Sequence, residues 1–294
     1  MSNKKSQASL VDLLAHHSGV LRCPLCFGPM HTVESRSIVC GSRHCFDISK
    51  LGYVNLLNRT MQSKYDKRLF DSRRRIAESG FFEPLSQALV ECIRGSHSPV
   101  HPLAILDAGC GEGSLLSGIR MKLERDLCHP PLAVGIDLSK EGISRAAAEY
   151  KGAMWFVADI ANCPFAARQF HFVLNVLSPA NYTEFQRIAA AGGTVLKVIP
   201  GSEYLKELRD LLYDGSARKT YSNDHTLAQF QKYFVLSEVR QIRYHVNLDP
   251  QLLDSLVDMT PLSWGVTEQQ RQKALQLCGT AITVDFVVLL GKSS

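Results

Sequence analysis

The sequence predicts an α/β protein in two unequal parts: a large domain on a mainly parallel sheet wrapped by helices, and ahead of it a small cysteine-rich module. Two observations carry this. From residue 104 onward short apolar runs alternate with stretches of helical period, the succession that builds a parallel sheet with helices on its faces. Before it, residues 21–47 read LRCPLCFGPMHTVESRSIVCGSRHCFD and gather Cys23, Cys26, Cys40 and Cys45 with His31 and His44, too dense a cluster for an ordinary core.

The 294 residues and 45% hydrophobic content suffice for one large domain and a small one. No run approaches the roughly 18 to 20 apolar residues of a membrane span, and MSNKKSQASL is too polar for a secretory leader. A cytoplasmic protein with no membrane partner is therefore expected. Of nine cysteines, Cys92, Cys110, Cys128, Cys163 and Cys278 stand singly in apolar segments, without disulfide-like spacing, and read as reduced core thiols.

Taking the elements in order, Cys23 and Cys26 form a C-x2-C knuckle, and Cys40 and His44 a C-x3-H pair 13 residues further on. Two such turns can converge on one tetrahedral ion, and thiolate with imidazole is the ligand set zinc prefers. Pro24 and Gly28 suit the first turn. Cys45 adjoins His44 and could replace it, but Phe46 and Asp47 continue as a strand that turns Cys45 the other way. A closed site of this kind serves structure, holding together a module too small to build its own core. Residues 1–60 are read as this module, expected to recognise RNA.

Residues 61–103 are expected to form a helical linker region packing on the large domain. DKRLFDSRRRIAESG reads as a helix closed by Gly80, and FFEPLSQALVECIRG as a second helix entered at Pro84. Charge is uneven: residues 1–75 hold 13 Lys or Arg against 5 Asp or Glu, giving +8, and the remainder holds 20 against 23, giving −3. The dense run TMQSKYDKRLFDSRRR contributes much of the excess. A basic N-terminal quarter points to a polyanion such as RNA; a merely solvated helix face is the plainer alternative. Arg22, Arg36, Arg43 and Lys50 in the module and Arg73, Arg74 and Arg75 beyond it are the RNA-binding candidates.

Residues 104–294 are expected to form the large domain. Strands are expected at AILD, PLAVGID, AMWFVAD, FHFVLNVL and GTVLKVI, and helices at GSLLSGIRMKLERDL, SKEGISRAAAEYK, TEFQRIAAA and SEYLKELRDLLYD. Two long β-rich segments, FVLSEVRQIRYHV and AITVDFVVLLG, are separated by helical PQLLDSLVD and TEQQRQKALQLC and would add an antiparallel pair at the sheet's end.

After the first strand stands LDAGCGEG, a D-x-G-x-G-x-G turn: Asp107, then Gly109, Gly111 and Gly113. Alternating glycines let backbone N–H groups approach a ligand beside a helix N-terminus, but the spacing is not the G-x-G-x-x-G that holds a pyrophosphate. With an acid in front it is similar to the first motif of Rossmann-like methyltransferases that use S-adenosylmethionine, a cationic cofactor. Asp137, closing the second strand, is placed to accept the ribose hydroxyls, and Asp159, after the third, to stand beside the adenine. A tight turn in some other α/β protein is the plain alternative to this site. The loop NVLSPAN lies where such a fold presents the target atom, so that Asn175 and the Ser178–Pro179 backbone could bind the edge of a target base; a helix-initiating turn would explain LSP equally well. Trp264 in MTPLSW could stack on an extruded base, or be a buried core tryptophan.

The order of CPLC, C-x3-H followed by FD, KLGYVNLLN, SRRRIAESGFFEPL, LDAGCGEG, LSP, PGSEYLKEL and MTPLSW resembles the RlmA family through most of the chain. The resemblance implies a Rossmann-like class I methyltransferase domain behind a zinc-ribbon-like domain. It also implies transfer of a methyl group from S-adenosylmethionine to N1 of a guanine in a 23S ribosomal RNA hairpin loop, with an effect on macrolide sensitivity. Zinc is implied at Cys23, Cys26, Cys40 and His44, cofactor contacts at Phe82, Gly111, Glu112 and Tyr204, and a homodimer as the assembly. Phe82 and Tyr204 keep aromatic rings but depart from the Tyr and His of the family's better-known member. Two other functions fit the motifs: a zinc-ribbon methyltransferase acting on a small molecule or protein, and a non-catalytic RNA-binding or drug-sequestering protein. Transfer of labelled methyl to RNA separates the three.

Overall fold

A computed structural model of the chain describes residues 9–58, 67–213 and 222–293. The polar leader up to residue 8, the front of the basic run with the expected 60/61 boundary, and the end of the helix expected over 202–214 lie outside the described residues.

In chain order the N-terminal part contains α1 (Leu10–His16), β1 (Met30–Val33), β2 (Ser37–Cys40), β3 (Cys45–Asp47) and β4 (Tyr53–Asn55). Two helices follow, α2 (Lys67–Glu78) and α3 (Glu83–Ser96). The alternating region then runs β5 (Ala104–Ala108), α4 (Ser114–Glu124), β6 (Leu132–Asp137), α5 (Lys140–Glu149), β7 (Met154–Val157), β8 (Phe170–Val176), α6 (Tyr182–Ile188) and β9 (Ala189–Pro200). The chain closes with α7 (Lys206–Leu212), α8 (Asp224–Gln231), β10 (Val235–Asn247), α9 (Pro250–Met259), α10 (Glu268–Leu275) and β11 (Ala281–Lys292).

β1, β2 and β3 pair antiparallel into a small sheet. The large sheet has the order β10-β11-β9-β8-β5-β6-β7-β4. β11 runs antiparallel to both of its neighbours, β10 and β9, as the terminal pair predicted, and the remaining neighbours are parallel. β5 pairs with β6 on one side and β8 on the other, so the chain reverses its direction of growth there. That is the switch point at which open parallel sheets bind ligands, beyond the strands' carboxyl ends.

The near-continuous burial of β5, β6 and β7 reflects cover on both faces. Ile105, Trp155 and Val157 face a core shared with α3, α4, α5 and α9. Leu106, Met154 and Phe156 face the other core, shared with α1, α6, α8 and the ribbon residues Cys23, Met30, Ile38 and Cys40. The cysteine module is thus packed against the large domain rather than tethered to it. Arg22 N–H donates to Pro164 O at 3.0 Å, Asn162 Nδ2 to Pro24 O at 3.0 Å, and Leu21 bridges Phe165.

Three local expectations change. The helix expected over 183–191 stops at Ile188, because Ala189 pairs with Phe170 and opens β9; sheet pairing overrides the helix preference of three alanines. The helix expected from Ser202 begins at Lys206: Leu205 is left-handed, with φ 50°, and Glu203 N–H is drawn to Asp285 Oδ2 at 3.0 Å. Of the five single cysteines read as core thiols, Cys92 and Cys163 are buried and Cys110 half-buried, but Cys128 and Cys278 are exposed, on the connections after α4 and before β11. No helix among the described residues is long and apolar enough to cross a membrane.

Candidate active site and metal centre

The two knuckles converge. Cys23 N–H donates to Gly28 O at 2.8 Å and Phe27 N–H to Cys23 O at 2.9 Å; Cys40 N–H donates to His44 O at 3.1 Å and Arg43 N–H to Cys40 O at 2.9 Å. Each turn needs one left-handed residue, Phe27 at φ 62° and Arg43 at φ 62°. The ligand atoms of Cys23, Cys26, Cys40 and His44 lie within 4.8 Å of one another. Cys26 Sγ is 3.5 Å from Cys40 Sγ, and His44 Nδ1 is 3.4 Å from both Cys23 Sγ and Cys40 Sγ. A zinc tetrahedron with ordinary bond lengths has S–S edges of about 3.8 Å and S–N edges of about 3.6 Å, so the cage is already near the size of the ion. Hydrogen bonding led by Gly28 N–H, then by Ser42, brings the Cys26 thiol down to about 6, into the thiolate form a metal binds. Cys45 lies exposed on β3 and outside this group, so the geometry favours His44.

At the carboxyl end of β5 the glycine turn is built as its spacing demands. Gly109, Gly111 and Gly113 all have positive φ, 91°, 58° and 84°, a region open to glycine and costly for other residues. A Cβ on Gly113 would stand 2.6 Å from the Trp155 ring, and one on Gly109 2.5 Å from Ser178 Oγ, so the turn is clamped between the β7 core and the loop after β8. Gly109→Ala should therefore lose roughly 1–2 kcal/mol from the left-handed backbone alone and displace Ser178. Melting temperature and cofactor calorimetry should both fall; a variant normal in both would show that this clamp does not matter.

Three acids surround the turn. Asp107 is 2% exposed, and its Oδ1 has no hydrogen-bond partner among the described residues. Burial, reinforced by the charges of Asp137 and Glu112, raises it to about 7. Asp137 accepts Gly111 N–H at 2.9 Å and Ser139 N–H at 2.8 Å, one on each oxygen, which leaves each oxygen a further lone pair for a hydroxyl donor. Glu112 accepts from Ser114 N–H at 3.1 Å and Ser114 Oγ at 2.6 Å, ordering the start of α4. An orphaned buried carboxylate oxygen among like charges fits the ammonium of the amino acid end of S-adenosylmethionine. Tyr204 and Phe82 meet over Phe286, at centroid distances of 5.1 and 6.2 Å. Asp159 stands at the other side, accepting Ala161 N–H at 2.8 Å, and lines a cleft of about 240 Å³ with Pro24, Leu56, Leu57 and Asn162, where the ribbon meets the end of β7.

The loop after β8 differs from expectation. Asn175, expected at the edge of a target base, is fully buried: its Nδ2, with two hydrogens to share, lies 2.8 Å from Ala108 O, 2.6 Å from Ser178 Oγ and 2.9 Å from Pro179 O. Its Oδ1 accepts from Lys197, whose ammonium also donates to Ser178 O at 2.6 Å. Asn175 and the Ser178 and Pro179 carbonyls therefore hold the loop's shape, and what remains outward is half-exposed Leu177, left-handed at φ 50°, and exposed Pro179. Lys197 is the functional candidate missed in the sequence: 5% exposed, with burial lowering its ammonium to about 8. Trp264 is 45% exposed, not a core tryptophan.

The basic candidates separate. Arg36, Arg43 and Lys50 are exposed on the ribbon, as is Phe27, at 58%. Arg22 is turned inward, 4.7 Å over the Phe27 ring and 3.7 Å from Glu184. Arg74 pairs with Glu78 at 2.7 Å and Glu149 at 2.5 Å, and Arg75 is exposed. Arg73 is half-buried and points at the glycine turn.

Residues 21–64 match the family described as RlmA, N-terminal, a zinc ribbon, and residues 105–199 match a methyltransferase domain. The chain is 40% identical over 280 residues to YxjB of Bacillus subtilis (strain 168), assigned as a 23S rRNA (guanine-N(1)-)-methyltransferase, covering 92% of this chain and 96% of that one. It is 32% identical over 247 residues to the 23S rRNA (guanine(748)-N(1))-methyltransferase of Streptomyces fradiae, covering 83% and 85%. A Micromonospora griseorubida protein of like assignment is 30% identical over 301 aligned positions, covering 96% and 98%.

Proposed function

The chain belongs to the RlmA family of 23S rRNA (guanine-N1)-methyltransferases, and on that premise we propose that it methylates N1 of a guanine in a hairpin loop of 23S ribosomal RNA. The observation that carries this reading is the meeting, on one packed body, of an acid-lined glycine turn at the sheet's switch point with a Cys3His ribbon at the same end of the sheet.

Bound S-adenosylmethionine supplies a methyl group already activated on a sulfonium. The chain's own residues then have to bind and orient. In this reading Asp107 faces the ammonium end, Asp137 the ribose hydroxyls and Asp159 the adenine side. Gly109, Gly111 and Gly113 bring the backbone close, Glu112 fixes the helix start behind them, and Phe82 and Tyr204 close the apolar side. Lys197 and Asn175 hold the Leu177–Pro179 loop as a shelf for the base. Guanine N1 lies on the pairing edge and is shielded in a duplex, so the target base must be unpaired or extruded; exposed Trp264 is the stacking candidate. Zinc at Cys23, Cys26, Cys40 and His44 holds the ribbon, and Arg36, Arg43 and Lys50 with Arg75 meet RNA phosphates. The division into residues 1–60 for RNA, 61–103 as packing helices and 104–294 for catalysis belongs to the same reading, as do a cytoplasmic location and a homodimer, the latter checked by light scattering.

The test is transfer of labelled methyl to 23S rRNA, with the product mapped as 1-methylguanine by its block to reverse transcription. The expected result is one methylated guanine, with position 748, the target named for the Streptomyces fradiae relative, and its hairpin neighbours scored individually. Folded protein that binds the cofactor yet labels only small molecules or protein, or labels nothing, sinks the reading.

A further inference from the structure

Helix α2 presents three consecutive arginines, and the roughly 100° turn between successive helical residues sends them to different places. Arg74 is paired with Glu78 and Glu149, and Arg75 is exposed. Arg73 reaches the cofactor turn: the nearest group that a Cβ on Gly111 would meet is Arg73 Nη1, at 3.5 Å. Its charge acts on Glu112, Asp137 and Tyr204, lowering the proton affinity of each against the effect of burial. The helix that carries it is fixed. Phe70 and Ile76 are fully buried, Arg73 lies 5.7 Å over the Phe70 ring, Arg68 pairs with Asp258 at 2.8 Å, and Asp71 pairs with Arg145 at 2.6 Å.

We propose that Arg73 is the cationic arm of the cofactor site and binds the carboxylate of the amino acid end of S-adenosylmethionine, rather than an RNA phosphate. The inference rests on the cofactor assignment above and deepens it. The amino acid end carries an ammonium and a carboxylate. Asp107, Glu112 and Asp137 suit the ammonium, the sulfonium and the ribose hydroxyls, but a carboxylate brought among three acids, one buried and two half-buried, needs a cation beside it. A guanidinium meets a carboxylate with two parallel hydrogen bonds, a geometry that lysine cannot offer. The basic run is therefore divided by helix geometry: one arginine turns to the cofactor, one holds α2 to α5, and one faces outward.

Decarboxylated S-adenosylmethionine, which lacks only the carboxylate, isolates the contact. Calorimetry with wild-type protein should favour the complete cofactor over the decarboxylated one by about ten-fold or more. Arg73→Ala should lose about ten- to a hundred-fold in affinity for the complete cofactor and bind the two ligands equally. The salt dependence of binding to an RNA hairpin should not change. Arg73→Gln, neutral and of similar reach, repeats the comparison if the alanine variant melts early. A variant that keeps the wild-type preference puts the carboxylate elsewhere. One that binds both ligands more tightly shows that Arg73 occupies the cofactor's place. A flattened salt slope with unchanged cofactor affinity returns Arg73 to RNA. Each of these overturns the proposal, whereas wild-type protein that binds neither ligand would instead overturn the cofactor assignment on which it rests.

Discussion

Cys23→Ser is expected to cost the protein its zinc, the fold of its ribbon and its methylation of RNA, and to weaken S-adenosylmethionine binding only in part, through loss of the Pro24 wall of the cleft beside Asp159. Structural zinc contributes an apparent ~10–16 kcal/mol in small zinc modules, more than the packing of so short a segment can replace. The ribbon's buried apolar residues are few, chiefly Met30 and Ile38 beside the cysteines themselves. Serine offers a hydroxyl that stays protonated at neutral pH where the site needs a thiolate. Cys45→Ser, by contrast, changes an exposed side chain on β3 outside the cage and should keep the metal. Elemental analysis should find about one zinc per chain in the wild type and in Cys45→Ser, and little in Cys23→Ser. Freshly purified, unchelated wild-type protein that is folded and metal-free would end the zinc assignment; retention by Cys23→Ser with loss by Cys45→Ser would redraw the ligand set.

What the sequence discloses and what it hides have physical reasons. The knuckle spacing is visible because ligand turns are local: each closes within four or five residues, and the only long-range demand is that they meet. The glycine turn is visible for the same reason, since three positive-φ positions in five residues leave little choice but glycine. Lys197 is hidden because nothing within GTVLKVI marks its lysine as buried. Its meaning comes from register: Lys197 lies opposite Asn175 in the β8–β9 ladder, 22 positions away, and only that pairing places an ammonium under the loop. Arg22 and Arg73 are hidden differently. A run of positive charge looks uniform in one dimension, and the partners that divide it, Glu184 for the first and the glycine turn for the second, come from elements more than 30 positions distant. β4 is a further case: three residues in GYVNLL carry no strand period of their own and become a strand by lying along β7.

Asp107→Asn should make the unliganded protein more stable and the cofactor bind more weakly, with both effects depending on pH in a stated direction. Asp107 is buried with an oxygen unpartnered among the described residues, and burial with the neighbouring charges of Asp137 and Glu112 raises it to about 7. The unfolded chain releases this proton near the ordinary aspartate value of about 4. Between about 4 and about 7 the native state therefore holds a proton that the unfolded state has lost, so stability contributed by this group is present below about 4 and is lost as pH rises through about 7. The full loss is up to about 4 kcal/mol. Asparagine does not titrate, so the variant should melt above the wild type at pH 8 and the gap should close toward pH 4. Cofactor binding runs the other way. The ammonium of the cofactor's amino acid end favours the ionised carboxylate, so wild-type affinity should fall relative to the variant's as pH is lowered from 8 to 6, when binding must first expel the proton. At pH 8 the variant should bind about ten- to a hundred-fold more weakly, the scale of a lost charge-assisted contact. Melting curves at pH 4.5, 6 and 8 with calorimetry at pH 6 and 8 read both effects. Equal cofactor affinity in the two proteins at both pH values would remove Asp107 from the cofactor's surroundings. A variant that melts below the wild type at pH 8 would mean that the carboxylate is held in the folded protein by a favourable partner, and that its charge serves the fold rather than the ligand.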